Sequence, residues 1–266
     1  MSRKVDLLII DPQVSFCDPK GELYVKGADQ DMDRVAKMIL RLKDKWNDIH
    51  VTLDTHHYVD VAHPIYWKNS RGERPDPFTI ITVQDVNDGV WTPTQPSLFK
   101  RSLEYVKSLA KNGRYPLCIW PPHCLIGSEG HNVFPSVFKS LIEWEKDFNM
   151  VDYVTKGSSP FTEHYSAVRA DVPDADDPST QINTKFIQTL VEADIVAICG
   201  EAGSHCLAHT TKDIVQEFCD DSYVKKLVLL TDGTSPVAGF EKLQEDFITE
   251  MTAKGMQLST TEEFLK

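Results

Sequence analysis

Ile195-Val196-Ala197-Ile198-Cys199-Gly200-Glu201-Ala202-Gly203-Ser204-His205-Cys206 is the stretch whose reading decides the fold. The apolar run 195–199 has the length and content of a strand buried on both faces, as in a parallel sheet. Small residues between 200 and 204 then permit a tight turn. Beyond it, Leu207, Ile214, Val215 and Phe218 recur on one helical face. The pattern is strand, sharp turn, helix, with Cys206 where the helix begins. Amides at a helix N-terminus are unpaired and the macrodipole is positive there, so the position favours thiolate over thiol. The same amides can hold a developing oxyanion. A buried, inert cysteine is the commoner fate of this residue type, and this stretch alone leaves both readings open.

Toward the N-terminus, Val5 to Ile10 reads as a strand ending at Asp11-Pro12. An acid there sits where open α/β sheets build their sites, although Asp before Pro also simply starts loops. Met32, Val35, Ala36, Ile39, Leu42 and Trp46 recur at helical spacing and read as core. A second strand, Ile49 to Leu53, runs into Asp54-Thr55-His56-His57, with His63 further on. Residues i and i+2 of an extended segment share a face, so Asp54 and His56 offer two ligands to one side. Carboxylate plus imidazole suits zinc, iron or manganese, and a surface loop rich in His has the same composition.

Residues 70–96 read as irregular. Phe99, Leu103, Val106 and Leu109 then mark a helix that Asn112-Gly113 ends. The stretch 70–115 is taken as an insertion within one domain spanning 1–266, suited to a lid or to a contact in a homo-oligomer. In Trp120-Pro121-Pro122-His123-Cys124, two prolines fix the backbone before a histidine. Such rigid presentation serves a metal ligand or a substrate wall, or is only a stiff turn. Val137, Leu141, Trp144 and Phe148 mark a helix, and 151–155 a strand capped by Lys156-Gly157. A lysine there can lie beside the Cys206 turn and lower the thiol pKa, or can be a solvated tip. Residues 170–180, with Asp171, Asp174, Asp176 and Asp177, read as a solvated acidic loop. Ile182, Phe186, Leu190 and Val191 give a helix, 227–230 a strand, Phe240, Leu243, Phe247 and Met251 a helix, and 256–260 a last short strand. This alternation predicts an α/β fold, a doubly wound, mostly parallel sheet with helices on both faces. Asp11, Asp54, Lys156 and Cys206 all fall at strand C-terminal ends, which share an edge in that architecture.

The 266 residues are 41% hydrophobic and 26% charged, ordinary for a soluble globular protein. No apolar run reaches membrane-spanning length, and the short one after Met1-Ser2-Arg3-Lys4 breaks at Asp11-Pro12, unlike an export signal. A formal net charge of -12 argues against nucleic acid and anionic membranes as partners. Six cysteines at irregular spacing, without a C-x-x-C pair, read as the reduced thiols of a cytoplasmic protein. Cys17, Cys118, Cys124, Cys199 and Cys219 are taken as structural.

Five segments taken together carry a resemblance: Asp11-Pro12-Gln13 with Phe16, Asp54-Thr55-His56, Trp120 to Cys124, Lys156-Gly157 with Tyr165-Ser166-Ala167, and Gly200 to Cys206. In them the chain resembles the nicotinamidase branch of the isochorismatase-like cysteine hydrolases. The resemblance implies their three-layer fold and a catalytic triad of Asp11, Lys156 and Cys206. It implies metal ligation by Asp54, His56 and His123, with His63 at the more variable fourth position. Phe16, Trp120 and Tyr165 would wall the pyridine ring. A cis peptide would precede Ala202, whose amide would form the oxyanion hole with that of Cys206. The implied reaction converts nicotinamide to nicotinic acid and ammonia through a Cys206 thioester, a step of NAD salvage. The implied cofactor is one divalent ion, zinc ahead of iron or manganese, that orients the ring. Another small amide as substrate, or a catalytically silent binding protein on the same fold, are the alternatives. Three features depart from the family. Glu201 stands where an apolar residue is usual, and would either raise the Cys206 pKa or point to solvent. The insertion is long. Pro12 and Ser15 differ from the residues more usual after the first catalytic Asp.

Overall fold

Every residue of β1 (Val5–Ile10) is buried, as is every residue of β4 (Ile195–Gly200). Such wholly buried, mostly apolar strands belong at the centre of a sheet covered on both faces. They pair in parallel along their whole length, from Val5 with Ile195 to Ile10 with Gly200. β2 (Trp46–Asp54) and β3 (Asp152–Lys156) extend the sheet on one side, and β5 (Leu227–Leu230) and β6 (Gln257–Ser259) on the other. The order is β6-β5-β4-β1-β2-β3, all parallel. The order reverses between β1 and β4, so the chain leaves their C-terminal ends toward opposite faces and opens a crevice there. The computed structural model describes residues 3–218 and 220–266.

Two groups of helices cover the sheet. Ala28–Arg41 packs on Pro135–Glu145, and Cys206–Phe218 packs on both Thr184–Glu192 and Glu241–Ala253. Right-handed crossovers put the two groups on opposite faces. Gly200 shows why the centre is so close-packed. Its φ is +109°, and a Cβ there would lie 2.1 Å from the Ile10 carbonyl oxygen.

The region expected to be irregular carries short elements instead. Trp67–Lys68 pairs with Thr92–Pro93, and Ile80–Ile81 with Leu117–Cys118. Val83–Asn87 is a helix closed by a Thr82–Asp85 capping box. Two-residue strands leave no periodicity to read. Val86, Tyr105, Val106 and Leu109 of this region join the same hydrophobic cluster as β1 and β4. Leu42 and Phe240 cap their helices, and three further apolar positions fall outside the expected helices altogether. Trp46 opens β2, because the helix stops at Arg41, and it stacks on Phe264 at 5.9 Å. Phe148 lies beyond the helix ending at Glu145, at φ +64° and fully exposed, and Ile182 precedes Thr184–Glu192. Asp171, expected in a solvated loop, is buried beside Arg114 and His209. The cysteines at 17, 118, 124, 199 and 206 are free and buried, and Cys219 lies outside the described residues. Among the described residues no helix is long and apolar enough to cross a membrane.

One buried charge predicts a pH dependence of stability. His50 in β2 has Nδ1 at 2.9 Å from Asp152 and Nε2 at 3.7 Å from Asp6. Burial alone would lower its pKa, but the two carboxylates outweigh burial and raise it to about 9. A folded value above the unfolded one stabilises fully below about pH 6.5 and is lost as pH rises through about 9. Wild type should therefore lose up to about 3 kcal/mol across that window, and His50→Gln should flatten this part of the curve. Urea midpoints between pH 6 and 10 check it; equal slopes in both proteins would contradict it.

Candidate active site

The reversal point gathers four polar side chains. Asp11 follows β1, Asp54 ends β2, Lys156 ends β3, and Cys206 opens the helix after β4. Asp54 and Lys156 are register partners. Lys156 Nζ lies 2.9 Å from Asp11 Oδ2, 2.9 Å from Asp54 Oδ1 and 3.5 Å from Cys206 Sγ. All four are buried. Asp11 sits at φ +43°, in the left-handed region where few non-glycine residues sit. Thr52 holds it there, accepting from its N–H at 2.9 Å and donating to its Oδ1 at 2.5 Å. Gln13 pairs its side-chain amide with the backbone of Asp54, at 2.8 and 2.7 Å. The Asp-Pro-Gln segment thus ties β1 to β2 at the site.

Burial sets the electrostatics. It raises Asp11 above the ordinary carboxyl value, with Lys156 opposing. It works against the charge on Lys156, but Asp11 and Asp54 hold the ammonium well above its usual value. Burial also works against ionisation of Asp54, yet His56 and Lys156 outweigh it and hold that carboxyl low. The Cys206 thiol is pushed well up by burial; Lys156 opposes this, while Asp11 and Asp54 add to it. The resting group is therefore a thiol hydrogen-bonded to Asp11, and not the thiolate that a helix N-terminus alone favours. Cys17, Cys124 and Cys199 are raised by burial as well, and their ionised forms are disfavoured too.

Beside this group stands a donor set. One ligand atom each from Asp54, His56 and His123 lie within 4.8 Å of one another. Asp54 Oδ2 is 3.0 Å from His56 Nε2 and 3.3 Å from His123 Nε2. The other ring nitrogens are engaged, His56 Nδ1 with Asp60 at 3.1 Å and His123 Nδ1 with the Pro121 carbonyl at 2.8 Å. A carboxylate or carbonyl on Nδ1 fixes the tautomer that leaves Nε2 free to ligate. His63 lies outside that 4.8 Å set, but its ring centroid is 5.2 Å from that of His56 and 5.6 Å from that of His123. Its Nδ1 meets the Tyr58 carbonyl, and its Nε2 is buried without a hydrogen-bond partner among the described residues. One carboxylate and imidazoles whose Nε2 atoms turn toward it fit a divalent transition ion.

Aromatic rings close the other sides. Phe16 meets His123 edge-on at 5.3 Å, and Trp120 Nε1 donates to the Tyr165 hydroxyl at 3.0 Å. The Glu201–Ala202 peptide is cis. The amides of Ala202 and Cys206 donate to no protein acceptor among the described residues, so both are free for an oxyanion.

The cavity among these groups has a volume of about 20 Å³ and is also lined by Leu23, Glu163, His205 and Val237, which sequence reasoning missed. His205 touches Trp120, Tyr165 and Phe240; a ring next to Cys206 was the available signal. Burial lowers its pKa to about 3, so it is a neutral wall. Glu163 has no sequence signal, since nothing local turns it inward; burial raises it to about 8. At about 20 Å³ the space holds roughly one water, so wall side chains must move to admit a ring. A larger cavity, about 740 Å³, is not lined by Asp11, Lys156 or Cys206. It is lined by groups paired with each other, Arg114 and Arg169 with Asp213, and Lys212 with Glu250.

No family model matches the sequence, and no curated protein matches it. Solved structures do match its fold over nearly its whole length. The nicotinamidase/pyrazinamidase of Acinetobacter baumanii is 18% identical with a TM-score of 0.65, over 98% of each chain. The yeast nicotinamidase bound to the inhibitor nicotinaldehyde is 18% identical with a TM-score of 0.66, over 96% of this chain and 99% of that one. The pyrazinamidase of Pyrococcus horikoshii in complex with zinc is 17% identical with a TM-score of 0.56, over 97% of this chain and 99% of that one. The chain shares their α/β fold.

Proposed function

We propose that this protein is a cysteine amidohydrolase, containing a divalent metal, that converts nicotinamide to nicotinic acid and ammonia. The observation that carries the reading is Lys156 Nζ within 3.5 Å of Asp11, Asp54 and Cys206 at once. It joins a buried acid to a thiol and a metal-type donor set, and Cys206, Asp54 and His123 line one cavity. Nicotinaldehyde and zinc, bound in two of the similar structures, are of the kinds this cavity would take. Free thiols and the lack of a membrane-crossing helix among the described residues agree with a cytoplasmic setting.

Asp11 accepts the Cys206 proton as Sγ attacks the carboxamide carbon. Lys156 balances the charge through both steps. Such a base works best with a raised pKa, which burial gives Asp11. The oxyanion forms against the Ala202 and Cys206 amides. Asp11 returns the proton to nitrogen, the C–N bond breaks, and ammonia leaves a thioester. Asp11 then takes a proton from water as it adds to the thioester carbon. The C–S bond breaks, the acid departs, and the proton returns to Sγ. A zinc, iron or manganese ion held by Asp54, His56, His123 and His63 would bind the ring nitrogen and fix its orientation.

A panel of nicotinamide, pyrazinamide, benzamide and a small aliphatic amide tests the substrate. Nicotinamide should show the highest kcat/KM, and benzamide, which lacks the ring nitrogen, should fall at least about tenfold below it. A preference for the aliphatic amide would move the substrate elsewhere, and turnover of none would favour a silent binding protein. His56→Ala and His123→Ala should each lose metal and raise KM about tenfold or more. Elemental analysis checks this; full metal content in either variant would refute the ligand set.

A further inference from the structure

Glu201 adjoins the oxyanion turn and is wholly buried, so it does not point to solvent. The shift of the Cys206 thiol is dominated by burial, Lys156, Asp11 and Asp54. The Glu201 side chain meets Asp31, itself almost fully buried at the start of the Ala28–Arg41 helix. We propose that Glu201 is a positioning residue: a neutral carboxylic acid whose proton is given to Asp31, so that its other oxygen braces the turn bearing the Ala202 and Cys206 amides.

The hydrogen bonds assign the proton. Asp31 accepts from Arg34 through one oxygen and from the Ser235 hydroxyl through the other, at 2.6 Å. Glu201 Oε2 accepts the Ser235 N–H at 3.0 Å. Glu201 Oε1 is buried without a donor among the described residues, and its carboxyl lies against that of Asp31. Two carboxylates in contact cannot both stay ionised with a single guanidinium between them. Arg34 is on Asp31, so the charge stays there and the proton goes to Glu201. The other titratable groups beside the pair are the thiols of Cys17 and Cys199, each of which feels both carboxylates. Neither is a cation, so neither offers a second positive charge. Burial, reinforced by Asp31, raises the Glu201 carboxyl well above its ordinary range, as this assignment requires.

The brace reaches the turn by a closed ring. Ser235, held by Glu201, accepts the Gly203 N–H on its carbonyl at 2.9 Å. The Glu201 N–H donates to Ile10 at 2.7 Å, and Val237 N–H donates to Ser204 Oγ at 3.0 Å. Residues 201, 203 and 204 are thus tied on either side of Ala202. An ionised Glu201 would repel Asp31 and open the ring beside the oxyanion donors.

Only the kinetic arm of the test rests on the amidohydrolase reading. Infrared difference spectra at neutral pH should contain a protonated-carboxyl C=O band that shifts in D2O and is missing from Glu201→Gln. The difference between the two proteins separates Glu201 from Glu163. No such band in wild type would overturn the proposal, whether or not nicotinamide is turned over. With metal-loaded enzyme, Glu201→Ala should lower kcat about tenfold to a hundredfold and leave KM within about threefold. Glu201→Gln, the isostere of the neutral acid, should restore kcat to within about threefold. A Gln variant as impaired as the Ala variant would also overturn it. If the Ala variant does not fold, the spectrum and the Gln variant decide alone.

Discussion

Cys206→Ala should abolish ammonia release from nicotinamide, by at least ~10⁴-fold, with metal content and nicotinamide binding unchanged. Sγ is the nucleophile in this account, and among the described residues no other thiol lines the cavity. Cys124 follows His123 in the chain but is buried with a raised pKa and is not among the cavity-lining residues. The donors of the metal set and the rings at 16, 120, 165 and 205 do not depend on Sγ, so binding survives. A direct assay of ammonia, with elemental analysis and equilibrium dialysis of nicotinamide, checks all three outcomes. Substantial residual turnover would end the thioester mechanism. Loss of binding would mean that the thiol shapes the pocket and is not only its nucleophile.

Lys156→Met should cost both activity and stability. The ammonium lies 2.9 Å from each of two buried carboxylates. Removing one partner of a buried ion pair leaves an uncompensated charge, worth about 3–5 kcal/mol. Asp11 would answer by holding its proton more tightly, so it would no longer act as a base at neutral pH. The expected result is a kcat lower by about 10³-fold or more. In metal-free protein the urea midpoint at pH 7 should fall clearly. Asp54, held low in the fold, contributes stability above the unfolded carboxyl range and loses it as pH falls. The destabilisation by Lys156→Met should therefore shrink toward acid pH, where the stranded carboxylates are neutralised. An equal loss at pH 4 and pH 7 would mean that Lys156 matters for packing and not for charge.

The sheet was legible because its two central strands are mostly apolar runs with a polar residue or a turn at the end. Val5 to Ile10 and Ile195 to Cys199 could be placed at its centre from hydrophobicity alone, and Asp11, Asp54 and Lys156 marked strand ends. What convergence does to those groups was not legible. Cys206 looks like a thiolate when only its helix terminus is considered; burial, a tertiary property, reverses that. Glu201 reads either as a charge beside the thiol or as a solvent-facing acid, because its partner Asp31 is 170 residues away in sequence. Glu163 and Val237 enter the cavity on loops with no local pattern. Trp46 fits a helical period by accident of a short turn, since Leu42 through Lys45 separate helix from strand. Chemistry at element ends can be read locally, whereas burial and cross-chain pairing cannot.

Ammonia and nicotinic acid released from nicotinamide by the purified protein test the central claim most directly, measured as isolated, after chelation and after zinc is restored. The account predicts equal amounts of both products, loss on chelation and recovery with metal. No ammonia from a protein holding about one metal ion per chain would contradict it, leaving the fold and the donor set with a different substrate.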